Sequence, residues 1–459
     1  MPTGIRASVC AGAAAVAVVA FAGATGGGRA ALGLAHTTPT ARVGMNYFDG
    51  WSDTVANFHF NGLVRPGANG RFASREPLSG WRDNSPAAMN AALEWAQADA
   101  IDFFEFDWFY PPPDPSLNTA LANYRVLPDH HGVGYSLLYV NIDPFVVPSA
   151  QWQSVVDGWA QDFASPGYAR VDGKPVLFVI DSVRFSEQWG GAAGVNAALD
   201  ALRQAARARG LPGVYVVGSV YIGTCVDQVG WDYFASLLAG ESWDALTQNS
   251  YPAAACKRDG AQPYGDIAAA GHAGWDRYAE RLGYPTIPQV QAGWDPRPWN
   301  EAIDGHLWWF QRTPTQFGAF VSDAAAWAAA HPIPGAPLVL VNSWNELGEG
   351  QTVVPTTEDG YAYGQALAQA VGVPWSPPPS RRVTVSASKG GSIRGLRPGL
   401  NCPPRCKISV NNGTQVTITA VARRGYRFRK WSGGCARATR TCALILDGDL
   451  IAHAIFVHH

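Results

Sequence analysis

Charge is scarce in this 459-residue chain: Asp, Glu, Lys and Arg make up 15% of it, against 47% apolar residues. A chain so poor in charge and so rich in apolar side chains is no disordered polyelectrolyte; it can bury a large core and has length for one big domain and a smaller one. No Gly-x-Gly-x-x-Gly follows a strand-like run, which removes the dinucleotide fingerprint. No serine sits in a Gly-x-Ser-x-Gly frame, which disfavours a serine hydrolase. No Cys-x-x-Cys or Cys/His array has zinc spacing, so neither a metal nor another cofactor is expected. Past the first 35 residues no apolar run approaches the roughly 20 residues of a membrane span.

What is present begins with an export signal. Arg6 precedes an Ala/Val-rich run from Val9 to Ala24, followed by small residues suited to cleavage after Ala24 or Ala35. Residues 1–35 are therefore read as a signal peptide, and the mature protein as secreted or held at the cell surface. Removing Cys10 leaves six cysteines, an even number that fits an oxidising compartment. Cys402 with Cys406 and Cys435 with Cys442 read as local clips, which leaves Cys225 and Cys256 as a third pair. Eighteen Trp and sixteen Tyr are many for this length. Flat aromatic faces suit pyranose rings, although large cores also take up Trp.

From Arg42 strand-like runs alternate with helical patterns. The strands are expected at 43–47, 101–108, 134–141, 175–180, 214–221, 243–248, 286–291 and 337–343, with helices at 86–98, 149–163, 192–209, 270–282, 315–330 and 363–371. Eight alternations over residues 36–373 predict a (β/α)8 TIM barrel, an α/β fold, with a doubly wound open sheet as the competing architecture. In a barrel the residues at the strand ends converge on one mouth. They include Tyr47 after strand one; Asp107, Trp108 and Tyr110 after strand two; Asn141; Asp181; Tyr251; Trp294 and Asp295; and, after strand eight, Trp344, Asn345, Glu346 and Glu349. Carboxylates, amides and rings with one evident cation, Arg297, favour a sugar over a phosphate, which would want Gly-rich turns and Lys or Arg. Asp181 reads equally as a helix cap, and Glu105, which shares strand parity with Asp107, as part of a buried polar network.

These residues carry a resemblance. NSWNELGEGQTVVP at 342–355, YARVDGKPVLFVID at 168–181, REPLSGWRDNS at 75–85, FFEFDWFY at 103–110 and QAGWDPRPW at 291–299 resemble glycoside hydrolase family 99, the endo-α-mannosidases, and the related WbsX-type and family 71/99-like proteins. The resemblance covers most of residues 42–372 and implies a retaining, endo-acting attack on α-linked glycans. Carried over, Glu346 is the base that acts on the sugar's own 2-hydroxyl, giving a 1,2-anhydro sugar, and Glu349 is the general acid/base. Trp81, in the REPLSGWRDNS stretch, joins the implied substrate-binding set. The ordinary two-carboxylate alternative makes Asp107 or Asp181 a nucleophile. Leu347, where the family commonly has Trp, and Val354, where it commonly has an acid, depart from the pattern beside the catalytic pair. The competing functions are a non-catalytic glycan-binding surface protein, an α-1,3-glucanase-like hydrolase and a WbsX-like glycosyltransferase of polysaccharide assembly.

Pro374–Ser380, PWSPPPS, reads as an extended linker. Residues 381–459 then read as short strands with Gly-rich turns, a small all-β domain that resembles the divergent internalin-type B-repeat through NCPPRC, GYRFRKWSGGC and IAHAIFV. It holds 14 Lys and Arg against 2 Asp and Glu, a net of +12, where the rest of the chain stands at −14. That asymmetry suggests an anionic cell-envelope polymer as partner. Export and the lack of a binding motif argue against nucleic acid.

Overall fold

The computed structural model describes residues 41–52, 58–64, 70–110, 117–220, 228–248, 258–300, 305–335, 337–397 and 399–458. The export signal, Cys225, Cys256 and Tyr251 lie outside the described residues.

Eight parallel strands form the barrel: β1 (Arg42–Tyr47), β2 (Phe103–Trp108), β3 (Gly134–Tyr139), β4 (Lys174–Val179), β5 (Tyr215–Val220), β6 (Ala245–Gln248), β7 (Thr286–Gln291, interrupted at Pro288) and β8 (Leu338–Asn342). Closure depends on β7. Its first half pairs with β6 through Leu246 and Thr286, and its second half pairs with β8 through Val290 and Val341. Pro288 has no N–H to give, yet its carbonyl accepts from Leu340 N at 3.0 Å, so the ladder passes the break. With β8 also beside β1, through Gly44 and Leu340, the sheet returns to its start. The open-sheet alternative is thereby excluded, and the expected (β/α)8 fold is observed.

Around it run α1 (Pro86–Ala98), α2 (Thr119–Val126), α3 (Trp152–Phe163), α4 (Ser182–Trp189), α5 (Ala192–Ala208), α6 (Gln228–Leu238), α7 (Tyr264–Leu282), α8 (Pro314–Ala330) and α9 (Ala362–Ala370). Caps set several starts. Ser85 accepts from Ala88 N ahead of Pro86, and Thr313 accepts from Gln316 N ahead of Pro314. Helix α7 starts six residues before the position expected from the sequence, because Pro263 precedes it and Asp266 sits favourably in its first turn.

The strands alternate between two apolar environments. Phe104, Phe106, Leu137, Tyr139, Val339 and Val341 belong to the large core shared with the helices. Phe103, Leu138, Val176, Phe178, Val217 and Leu340 form a second cluster with the opposite strand parity, which fills the barrel interior. This parity decides which residues can face the mouth.

Residues from Ser380 onward form two four-stranded sheets around their own core, with Val383, Ile393, Ile418, Trp431 and Leu450 among its members. Cys402–Cys406 and Cys435–Cys442 are disulfides, as expected from their spacing. The linker is not free. Trp375 Nε1 donates to Asp99 Oδ1 at 2.9 Å. Gln415 N donates to Leu78 O at 2.7 Å, and Trp95 Nε1 to Asn412 O at 3.1 Å. Gly413, with φ +80°, lies so close to α1 that a Cβ there would meet Trp95 at 2.7 Å. Among the described residues no helix is long and apolar enough to cross a membrane.

Candidate active site

The chain after β8 doubles back on itself. Asn345–Glu346 pairs antiparallel with Gln351–Thr352, so Leu347–Gly350 forms the turn of a short hairpin that carries both glutamates. Ser343 closes its base: its hydroxyl donates to Gln351 O at 2.7 Å and accepts from Glu346 N at 3.0 Å. Two glycines make the turn possible. A Cβ on Gly348 would sit 2.0 Å from the Trp299 ring, and Gly350 holds φ +65° against Asp295 and Arg75. Gln351 Nε2 then donates to Glu349 Oε2, which orients that carboxylate.

A cavity of about 400 Å³ opens at this end of the barrel. Glu346 and Glu349 line it with Glu105 and Asp107 from β2, Asn46 from β1, Trp294, Phe48, Phe109 and Gln351. Four carboxyls therefore face one space, and no Lys, Arg or His is among its described lining residues. Asn46 Nδ2 donates to Asp107 Oδ1 at 2.7 Å. Burial pushes Asp107 up to about 7 despite that bond. Burial, and after it the neighbouring Asp107, pushes Glu105 up to about 8, and its Oε1 has no hydrogen-bond partner among the described residues. At neutral pH Glu105 is a protonated donor, while Asp107 is divided between its two forms.

These shifts give the stability a pH dependence. The folded protein holds protons that the unfolded chain releases above its ordinary carboxyl pKa of about 4, so this contribution falls as pH rises towards about 8 and then levels off. Glu105→Gln, neutral throughout, is expected to gain on the wild type across that window. Thermal melts at pH 5 and pH 8 check it: the mutant-minus-wild-type difference in Tm rises between them, and a constant difference contradicts the shift.

Of the residues expected to contact substrate, Asp107 and Trp294 line the cavity; the other described ones do not, and parity or hydrogen bonding explains most of them. Tyr47 has the outward parity of β1, packs on Phe104 and Phe106, and donates to Asp83. Trp108 likewise faces α3, 4.9 Å from Trp159, with Tyr110 stacked beside it. Trp81 packs against the large core. Asn141 exchanges hydrogen bonds with the backbone of Asp181, whose carboxylate caps α4 by accepting from Arg184 N at 3.0 Å. Trp344 is buried against Phe104. Asn345 pairs with both backbone groups of Phe48, at 2.9 and 3.0 Å, and so ties the segment after β8 to that after β1. Asp295 is held by Arg297 and Arg75; burial alone would raise its carboxyl, but the two guanidiniums bring it below its ordinary value. Leu347 and Val354, the departures from the family pattern, are buried in the core and do not line the cavity.

Asn46, Gln289, Asn342 and Gln351 are among the lining residues that the strand-end reading passed over, and Glu105, read as part of a buried polar network, lines the cavity as well. The signal was there in part: Glu105 stands two residues before Asp107, so strict alternation from Asp107 selects it, while Asn46 stands one residue before Tyr47 and takes the opposite side of its strand.

Residues 147–367 match the family described as Glycosyltransferase WbsX, and residues 381–456 match the Divergent InlB B-repeat domain. No curated protein matches. Among solved structures the chain is similar to one titled "Glycoside hydrolase-like protein", at 18% identity and TM-score 0.53, over 75% of this chain and 98% of that one. It is also similar to the GH99 endo-alpha-mannosidase from Bacteroides thetaiotaomicron, at 14% identity and TM-score 0.47, over 72% of this chain and 98% of that one. By these matches residues 147–367 of the barrel are similar to WbsX-type proteins, and residues 381–456 to divergent InlB B-repeat domains.

Proposed function

We propose that the protein is a secreted glycoside hydrolase that cleaves α-linked glycans, α-mannan-like in kind, within the chain and with retention. The observation that carries this reading is the cavity itself: four carboxyls, with Trp294, Phe48 and Phe109 around them and no cation in the described lining. A neutral sugar fits such a space by stacking and hydroxyl hydrogen bonds. A sugar-nucleotide donor, which a transferase would need, brings a diphosphate that these carboxyls repel unless a cation accompanies it.

In the proposed reaction Glu346, ionised, takes the proton of the substrate's 2-hydroxyl, and that oxygen attacks C1. The bond from C1 to the leaving oxygen breaks as Glu349 gives that oxygen its proton. A 1,2-anhydro sugar remains. Glu349, now a carboxylate, takes a proton from water; the water oxygen opens the three-membered ring at C1, and Glu346 returns its proton to O2. Two inversions retain the configuration. Glu105, as a protonated donor, is suited to a substrate hydroxyl or ring oxygen. Asp107, half neutral and bonded to Asn46, makes a poor nucleophile, and Asp181 stands at a helix cap outside the cavity.

The route is tested with a 2-deoxy analogue of whichever glycan is cleaved. Lacking the attacking oxygen, it is expected to remain intact under conditions that consume the parent; cleavage at a comparable rate would point instead to a carboxylate nucleophile.

The C-terminal region is proposed to hold the enzyme on an anionic envelope polymer. Arg423, Arg424, Arg427, Arg429 and Lys430 are exposed on and beside the edge strand Tyr426–Gly433, and no described Lys or Arg of the region is in a salt bridge. Changing the four arginines to Gln in the full chain is expected to abolish salt-sensitive binding to a teichoic-acid-type polymer. Unchanged binding would remove the anchoring role.

A further inference from the structure

The contacts that seat the C-terminal region on the barrel leave a groove of about 580 Å³ between them. One wall is barrel: Glu76–Leu78, Gly80, Thr357 and Tyr361. The other is C-terminal: Val410, Asn411, Thr414, Gln415 and Thr417. We propose that this groove is a second carbohydrate site, which takes an uncharged stretch of the same glycan chain that the barrel cleaves. The inference rests on the hydrolase reading above and extends it from one site to two.

Its chemistry is that of a neutral sugar. Pro77, Leu78 and Val410 supply apolar surface, and Tyr361 supplies a ring, itself packed 6.0 Å from Trp375. Hydroxyls and amides of Thr357, Thr414, Thr417, Asn411 and Gln415 edge that surface. Alternating C–H faces and hydroxyls of a pyranose chain meet such a mixture well. Among the described lining residues Glu76 alone carries a formal charge. An anionic polymer has nothing to pair with here, and the exposed cations invoked for anchoring, Arg423, Arg424, Arg427, Arg429 and Lys430, lie on and beside a different strand, Tyr426–Gly433.

The groove is also built as one piece with the segment that leaves the catalytic hairpin. Leu78 N donates to Pro355 O at 2.8 Å, and Thr357 N to Glu76 O at 2.9 Å. Pro77 bridges Thr356. The wall residue Thr357 follows Gln351 of the hairpin by only six positions. On the other side Gln415 N bonds Leu78 O, and Asn412 is held by both Trp95 and Glu94, so the two walls have a fixed spacing. A rigid groove needs no ordering before it binds, which favours a weak, repetitive ligand such as a polysaccharide.

Thr417 is half-buried on the strand Gln415–Ala422, between the inward-facing Val416 and Ile418, so a larger side chain at 417 enters the groove and not the core. Thr417→Trp in the full chain is the blocking variant. Thr419→Trp, on the same face but outside the lining, is its control, and a thermal melt reports whether each is folded. Both are compared with wild type on yeast α-mannan, dextran and pullulan and on their trisaccharides, by cleavage and by affinity electrophoresis. Closing one of two linked sites is expected to raise KM for the polymer about tenfold, with kcat and trisaccharide KM unchanged and the control like wild type. Equal polymer KM and mobility for wild type and Thr417→Trp would overturn the groove while leaving the hydrolase reading intact. Polymer retardation that Thr417→Trp abolishes, in a wild type that cleaves nothing, would keep the groove and overturn the hydrolase. Neither binding nor cleavage of any glycan would overturn both.

Discussion

Glu349→Gln is expected to lower cleavage of a natural glycan about 10³-fold, the scale of a lost general acid/base, without unfolding the protein. The amide is the carboxylate's isostere and can still accept from Gln351 Nε2, so the hairpin keeps its shape. Glu346→Gln is expected to cost as much, for a different reason: it removes the base and leaves the acid. The two roles separate with an α-glycosyl fluoride, whose leaving group needs no proton. Its first step should survive Glu349→Gln to a large extent and should be lost in Glu346→Gln. A burst of fluoride from the former and none from the latter supports the assignment; equal loss in both contradicts it.

The second large effect is expected at Arg75, which touches no lining residue through a side chain of the cavity but holds the turn that carries the acids. Its guanidinium donates to Leu347 O at 2.9 Å and Asp295 O at 3.1 Å and pairs with the Asp295 carboxylate. Asp295 N in turn donates to Glu349 O. Burial lowers Arg75 to about 10, so it remains charged at neutral pH. Arg75→Ala leaves the carbonyls of Leu347 and Asp295 without this donor, at about 1–3 kcal/mol, and takes one of two cations from a half-buried carboxylate. Displacing the turn by a fraction of its width lowers kcat by about 10²-fold. KM should change little, because Trp294 and the rings of the cavity stay in place. Arg75→Lys restores charge without the fork and should recover only part of kcat. A variant with normal kcat and a lowered Tm would reduce Arg75 to a stabilising role.

Much of this architecture is legible in the sequence because parallel strands buried on both faces leave continuous apolar runs, as in Leu338–Asn342 or Lys174–Val179. The short helices are less so. Helix α2 is not capped locally: Asn118 at its N-cap makes no capping bond, and the amides of Ala120 and Leu121 are taken by Asp49, some seventy residues earlier. Helices α4 and α6 are also short and left no helical expectation. In the C-terminal region Gly391–Arg397 and Lys407–Asn411 were hidden by glycine and charge, which edge and half-exposed strands tolerate, and Thr441–Ile445 by its five-residue length.

The site was legible in position more than in membership. Strand ends locate the mouth, but they do not say which of two adjacent residues faces it. Tyr47 and Asn46, or Trp108 and Asp107, are one residue apart and on opposite sides of the wall. Asn345 sits inside the motif and serves the fold instead, through a contact with Phe48 that no local pattern reveals. The docking of the C-terminal region was likewise hidden, since it depends on Gly413 meeting Trp95 across more than three hundred residues.

The central claim is that Glu346 and Glu349 cleave an α-linked glycan. Incubating the full-length wild type, beside Glu349→Gln, with α-mannans, α-glucans and bacterial envelope glycans tests it most directly, with released oligosaccharide read by mass. The account predicts products from the wild type on at least one α-linked polymer and essentially none from the variant, which still binds that polymer. Binding by both proteins with release by neither would contradict it and make the barrel a glycan-binding module.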